Sequence, residues 1–198
     1  MISDLVFPAQ LPDCEIAYHP GFLDPDAARD LLDRLSGQTP WRQDSIRLFG
    51  KTHPQPRLTA LYATNGRPYA YSGITMHPDP FPGGLDALRL RVQAHCGSEF
   101  STCLLNYYRD GRDSNGWHAD DEPELGRNPV IASLSLGEPR FFHMKHRTRP
   151  GLRYRLLLEP GSLLVMAGPT QHHWLHQIPK SRKTMGPRIN LTFRKIPG

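Results

Sequence analysis

Hydrophobic positions along the chain follow two regimes. Leu23, Ala27, Ala28, Leu31, Leu32 and Leu35 recur at helical spacing behind Asp24-Pro25, a side-chain cap followed by a residue with a preset φ. A helix is therefore predicted from Pro25 to Ser36-Gly37. Leu85, Leu88, Val92 and Cys96 form a second stripe, which predicts a helix over 85–96 closed by Gly97 in a left-handed cap. From residue 100 onward the period shortens. Thr102 to Tyr108, Val130 to Leu136, Arg140 to Met144, Arg153 to Leu158, Ser162 to Met166 and Ile189 to Arg194 are short runs rich in branched and aromatic residues. Gly, Pro, Asn and Asp separate them. No helical pattern lies between these strands, which argues against a parallel α/β fold and for a mainly β, α+β domain: a barrel or jelly roll backed by N-terminal helices. The segment KHRTRPGLRYR, residues 145–155, reads as a basic hairpin centred on Pro-Gly. There is no internal repeat.

Composition narrows the picture in a few respects. A chain of 198 residues supports one well-buried core, so a single domain is expected. Twenty prolines and 17 glycines imply many turns. An excess of Lys and Arg gives a formal charge of +5, which suits a polyanionic partner without requiring one. The three cysteines, Cys14, Cys96 and Cys103, have no metal-binding spacing, and reduced thiols in a reducing compartment are expected. Neither a signal-type N-terminus nor an apolar run near the roughly 18 residues of a membrane span is present. A soluble, cytoplasmic protein without a membrane partner is expected.

Candidate chemistry centres on Trp117-His118-Ala119-Asp120-Asp121-Glu122-Pro123. If this stretch is extended, His118 and Asp120 leave the same face and can converge on one ion. A second histidine cluster, Gln171-His172-His173-Trp174-Leu175-His176, follows a strand and turn in the same β-rich half. Two histidines and a carboxylate leave coordination positions open on iron, whereas a structural zinc site is usually closed by four ligands. Spacing does not choose the third ligand: in an extended segment His172 and His176 share a face, and His173 takes the other. Further along, Arg188, Asn190, Thr192 and Arg194 lie on one face of a predicted strand, where a guanidinium fork could grip a carboxylate. Asn106 and Tyr108 repeat the polar face on a neighbouring strand.

At this point the residues resemble a known family. Asn106-Tyr107-Tyr108-Arg109, the 117–123 stretch, Ile131-Ala132-Ser133-Leu134-Ser135-Leu136-Gly137, Thr170-Gln171 with Trp174 and His176, and Pro187-Arg188-Ile189-Asn190-Leu191-Thr192-Phe193-Arg194 are similar to the AlkB family of iron(II)- and 2-oxoglutarate-dependent dioxygenases, its DNA-repair members above all. Upstream, Trp41-Arg42-Gln43-Asp44, Ile46-Arg47-Leu48-Phe49-Gly50, Gln55-Pro56-Arg57-Leu58-Thr59-Ala60 and Tyr69-Ala70-Tyr71-Ser72 extend the resemblance over nearly the whole chain. It implies a double-stranded β-helix core over 99–198, preceded over 1–98 by helices and a nucleotide-recognition lid. It also implies iron held by His118, Asp120 and His176, with O₂ as the oxidant. Arg188 and Arg194 would bind the two ends of 2-oxoglutarate, with Asn106, Tyr108, Asn190 and Thr192 completing the pocket. Asp121 would face the substrate base, Tyr69 and Tyr71 would belong to the lid, and Phe49 would tip a hairpin that fills the gap left by a flipped base. No role is assigned to Glu122-Pro123.

The activity so implied is oxidative demethylation of N1-methyladenine and N3-methylcytosine in DNA, releasing formaldehyde, by a monomer located in the nucleus if the source is eukaryotic. RNA is a further candidate partner. Lys145 to Arg155 and Ala63 to Arg67 depart from the family pattern, which leaves strand preference open. A related dioxygenase acting on RNA, protein or a small molecule is the first alternative, since fold alone does not select a substrate. A non-catalytic nucleic-acid-binding barrel is the second.

Overall fold

The computed structural model describes residues 11–48, 51–71 and 74–197. Its first half contains β1 (Glu15–His19), α1 (Pro25–Gln38), β2 (Ser45–Leu48), β3 (Lys51–Pro54), β4 (Leu58–Ala63), β5 (Tyr69–Tyr71), β6 (Ile74–Met76) and α2 (Gly83–Cys96). The second half contains β7 (Thr102–Tyr108), β8 (Asn115–His118), β9 (Ile131–Gly137), β10 (Arg140–His146), β11 (Arg153–Leu158), β12 (Leu163–Ala167), α3 (Thr170–His173), β13 (Trp174–Ile178) and β14 (Arg188–Arg194). A 3₁₀ turn over Pro123–Leu125 follows β8.

A six-stranded sheet in the order β1-β12-β9-β14-β7-β4 faces a four-stranded sheet in the order β11-β10-β13-β8. Every pairing within them is antiparallel. Hairpins β2-β3 and β5-β6 stand apart as small two-stranded sheets. Two strands from before residue 98, β1 and β4, form the edges of the large sheet.

The packing follows the period-two pattern. On β14, Ile189, Leu191 and Phe193 are fully buried and join Ala28 and Leu31 of α1 and Leu85, Leu88 and Val92 of α2 in one apolar cluster. Each of these side chains larger than Ala28 contributes roughly 1.5–3 kcal/mol by burial. The alternate residues of β14 turn to the space between the sheets. That space holds a second cluster, in which Leu104, Ile131 and Met166 of the large sheet meet Phe142, Met144 and Trp174 of the small one.

Helix ends have local causes. Asp24 caps α1 by accepting a hydrogen bond from the Ala27 N–H at 2.9 Å. The helix runs past Ser36-Gly37 to Gln38 and stops at Thr39, whose extended φ −77°, ψ 135° is what the following Pro40 demands. Gly97 closes α2 at φ 62°, its N–H donating to the Gln93 carbonyl. At Gly137, φ is 80°, and a Cβ there would strike the Pro187 carbonyl oxygen, so β9 passes closely beside the start of β14. No helix among the described residues is long and apolar enough to cross a membrane.

Candidate active site

The inward polar faces of both sheets line one cavity of about 700 Å³, within the range of small-molecule sites. His118, Asp120 and His176 each bring a ligand atom to within 4.8 Å of the other two. Strand pairing explains the histidines: His118 on β8 lies directly opposite His176 on β13, and their ring centroids are 4.2 Å apart. His118 Nδ1 donates to the Gly116 carbonyl at 2.8 Å, which leaves Nε2 as the nitrogen that carries the lone pair, where it accepts from Asn115 Nδ2 at 3.2 Å. Asp120 lies beyond the end of β8, in a bend. Its backbone N–H donates to Gln171 Oε1 at 2.9 Å, so the fully buried Gln171 on α3 fixes the turn that carries the carboxylate.

Electrostatics favour ligand-ready states. Burial holds His118 below the usual histidine range and lowers His176 to about 3, with His118 adding to the latter. Burial alone would raise Asp120, but Arg194 and the two histidines outweigh it and bring the carboxyl to about 2. Near neutral pH the cluster therefore presents two uncharged imidazoles and one carboxylate.

The arginines on β14 complete the polar wall. Arg194 Nη2 donates to Asp120 Oδ1 at 2.8 Å. Burial tends to lower Arg194, yet Asp120 and Tyr69 hold it above the ordinary arginine range. Arg188 donates through Nη2 to Ser135 Oγ at 2.9 Å, and burial brings it down to about 10. On both guanidinium groups Nε and Nη1 are buried without a hydrogen-bond partner. Unpaired buried charge-bearing donors are costly, and such donors aimed into a cavity are offset by an anionic ligand.

Asn190 donates to Ser133 Oγ at 2.7 Å and accepts from Thr192 Oγ1 at 2.9 Å. Asn106 accepts from the buried Arg57 Nε at 2.6 Å. Tyr108 is buried beneath Arg188, whose guanidinium carbon lies 5.2 Å from the ring centre. Sequence reasoning gave Arg57 no role, although it stands just before β4 in the quoted Gln55 to Ala60 segment.

The substrate residues expected from sequence are less uniformly placed. Tyr69 lines the cavity and is buried, with the Arg194 guanidinium carbon 5.3 Å from its ring centre. Phe49 lies outside the described residues, and Tyr71 is described only by its backbone, at the end of β5. Asp121 is exposed and pairs with Arg147 Nη2 at 2.6 Å rather than lining the cavity. Glu122 does line it: its carboxylate is raised by burial and by Asp120, it accepts from the Tyr69 hydroxyl, and Oε2 has no hydrogen-bond partner. Strand alternation would put Glu122 on the face of His118 and Asp120, and the structure keeps it there although β8 ends at His118; sequence reasoning nevertheless gave Glu122 no role. His172 departs from the expected extended face. It lies in the α3 turn, and its Nε2 meets Asn128 Oδ1 at 3.0 Å, outside the triad.

A model of the 2OG-Fe(II) oxygenase superfamily matches residues 15–194, and the chain belongs to that superfamily. Within it, the chain is 42% identical over 190 residues to alpha-ketoglutarate-dependent dioxygenase alkB homolog 3 of Mus musculus, covering 91% of this chain and 66% of the relative. The Homo sapiens counterpart is 41% identical over the same length, with the same coverage. DNA oxidative demethylase ALKBH2 of Homo sapiens is 42% identical over 158 residues, 76% of this chain and 60% of the relative. The chain thus spans just under two thirds of the length of these relatives. The solved structure of OsALKBH1 superposes with a TM-score of 0.68 at 18% identity, covering 91% of this chain and 97% of that one, which supports the fold.

The AlkB resemblance and the jelly-roll core are therefore borne out. The superfamily uses iron(II), 2-oxoglutarate and O₂, as expected from the sequence. The donors present fit that set: neutral imidazoles and a carboxylate suit iron, and the unpaired Arg188 and Arg194 N–H groups suit a dicarboxylate.

Proposed function

We propose that this chain is an oxidative demethylase of N-alkylated nucleobases, acting on N1-methyladenine and N3-methylcytosine in DNA as a direct-reversal repair enzyme. The observation that carries the proposal is the meeting, in one cavity, of the His118, Asp120 and His176 triad, the two arginines with unpaired donors, and the Glu122 carboxylate beside Tyr69. The identity to a relative named DNA oxidative demethylase supports the substrate class.

In this scheme His118, Asp120 and His176 would hold iron(II), and Arg188 and Arg194 would each bind one carboxylate of 2-oxoglutarate. When bound, iron and 2-oxoglutarate supply the O₂-dependent oxidation that hydroxylates the N-methyl group; the product then loses formaldehyde. Asn106, Tyr108, Asn190 and Thr192 shape the co-substrate end of the cavity. Tyr69 walls the base, and Glu122 Oε2 accepts a hydrogen bond from its exocyclic amine. A methylated adenine or cytosine is cationic, and a carboxylate in a poorly solvated cavity favours it over the neutral base. Asp121 joins this contact by leaving Arg147, and the family resemblance gives Phe49 and Tyr71 a part in holding the substrate. Lys145, Arg147, Arg149, Arg153 and Arg155 supply cations for phosphates.

The test is an anaerobic incubation with iron(II), 2-oxoglutarate and methylated single-stranded DNA, duplex DNA or RNA, followed by O₂. Formaldehyde and succinate formed in step with loss of the methyl group are expected on DNA. Succinate release with every methylated oligonucleotide left intact would reject the substrate class while retaining the dioxygenase.

A further inference from the structure

A second cluster with metal-binding chemistry lies outside the cavity, and the proposed demethylation does not use it. Asp13, His146 and His173 each bring a ligand atom to within 4.8 Å of the other two. Three separate segments supply them: the residues before β1, the last position of β10 and the last position of α3. His146 is 4% exposed, and its Nε2 is buried without a hydrogen-bond partner. Asp13 Oδ2 lies 3.4 Å from that nitrogen.

The surroundings hold the groups in place. The His146 and His173 rings are stacked with centroids 5.8 Å apart, and Trp174 meets His146 edge-on at 5.3 Å. Trp174 Nε1 donates to the Pro12 carbonyl at 3.0 Å, anchoring the residue before Asp13. Asp13 itself adopts φ 56°, uncommon for a residue with a side chain and most tolerated by Asn and Asp.

We propose that Asp13, His146 and His173 form a second divalent-cation site suited to zinc, with water in the fourth position. Ligand atoms about 2.0–2.2 Å from zinc at tetrahedral angles lie roughly 3.3–3.6 Å apart. The separation between His146 Nε2 and Asp13 Oδ2 falls at that value without rearrangement. Coordination through Nε2 places the ring proton on Nδ1. There the contact from the Thr148 N–H, 3.3 Å long, gives way to a hydrogen bond donated to Thr148 Oγ1, 3.4 Å away. Arg149 also approaches Asp13 Oδ2 at 3.4 Å, but its side chain is 55% exposed and turns to solvent when the ion binds. Such an ion ties the segment before β1 to β10 and to the turn that leads into His176. The positive charge of Arg149 and of the neighbouring Lys145 and Arg147 weakens the site, and added salt screens that repulsion.

The experiment is equilibrium dialysis of the whole chain against zinc chloride, with metal analysis and circular dichroism to monitor folding. Because the cavity triad also takes zinc, the unaltered chain is expected to bind about two equivalents. Asp13→Asn and His173→Ala are each expected to lose one of them, and His176→Ala to lose the other. Asp13 is at the surface, so Asp13→Asn decides the matter even where a histidine variant fails to fold. Retention of the full zinc content by folded Asp13→Asn, or binding of a single equivalent by the unaltered chain, overturns the proposal.

Discussion

Arg188→Met separates the cost of burying a guanidinium from its use. Arg188 is 1% exposed, donates to Ser135, lies against Tyr108, and leaves Nε and Nη1 without a hydrogen-bond partner. Burial brings it down to about 10, which at about 1.4 kcal/mol per pH unit is a penalty of roughly 3 kcal/mol on the charged form. The sign follows from linkage. A base with a depressed folded value destabilises the fold over the whole range below about 10 and is relieved only as pH rises toward the ordinary arginine range.

Replacing this cation by an apolar chain of similar length should leave the ligand-free protein equally stable or up to about 2 kcal/mol more stable, as with other buried charges. Binding of 2-oxoglutarate should suffer in the opposite direction. Loss of two charge-assisted hydrogen bonds costs about 3–5 kcal/mol, or roughly 150- to 5,000-fold in Kd. Urea denaturation of the ligand-free variant gives the first quantity, and anaerobic calorimetric titration with 2-oxoglutarate and iron(II) gives the second. A variant that binds 2-oxoglutarate within about threefold of the parent, or whose ligand-free form loses more than about 2 kcal/mol, would refute the reasoning.

Two further outcomes follow from the same geometry. His176→Gln should abolish formaldehyde release without unfolding the chain. It should also flatten acid sensitivity: His176 is lowered to about 3, so its contribution to metal-free stability is complete above the usual histidine range and is lost as pH falls toward 3. Denaturation midpoints at pH 7 and pH 5 check this, and an unchanged slope contradicts it. Gly137→Ala should destabilise by about 1–3 kcal/mol, because φ is 80° and the added methyl meets the Pro187 carbonyl oxygen. Since Arg188 follows directly, 2-oxoglutarate affinity should fall as well, and a chain with unaltered melting and binding would disprove the close-approach argument.

Much of this architecture is legible in the sequence because alternation survives wherever a strand has one apolar and one polar face. On β14 it separates Ile189, Leu191 and Phe193 from Arg188, Asn190, Thr192 and Arg194, and the structure places the two sets on opposite sides. Both main helices are legible through their caps. Leu58–Ala63 is not, since β4 is buried on both faces and carries no alternation. Between 117 and 122, and again between 171 and 176, the chain changes conformation within a few residues. Extended spacing then assigns the wrong face to His172, and only tertiary contacts such as Gln171 to Asp120 reveal the turn.

The division of β14 also bears on how such a protein can change over generations. Its outward residues specify folding and, in the proposed scheme, its inward residues hold the co-substrate, so inserting or deleting one residue inverts both at once. Asp121 and Arg147, paired with each other at the surface and outside β14, carry no such double duty. If the proposed substrate contacts hold, preference can drift at such exposed positions while β14 is inherited as a single indivisible unit.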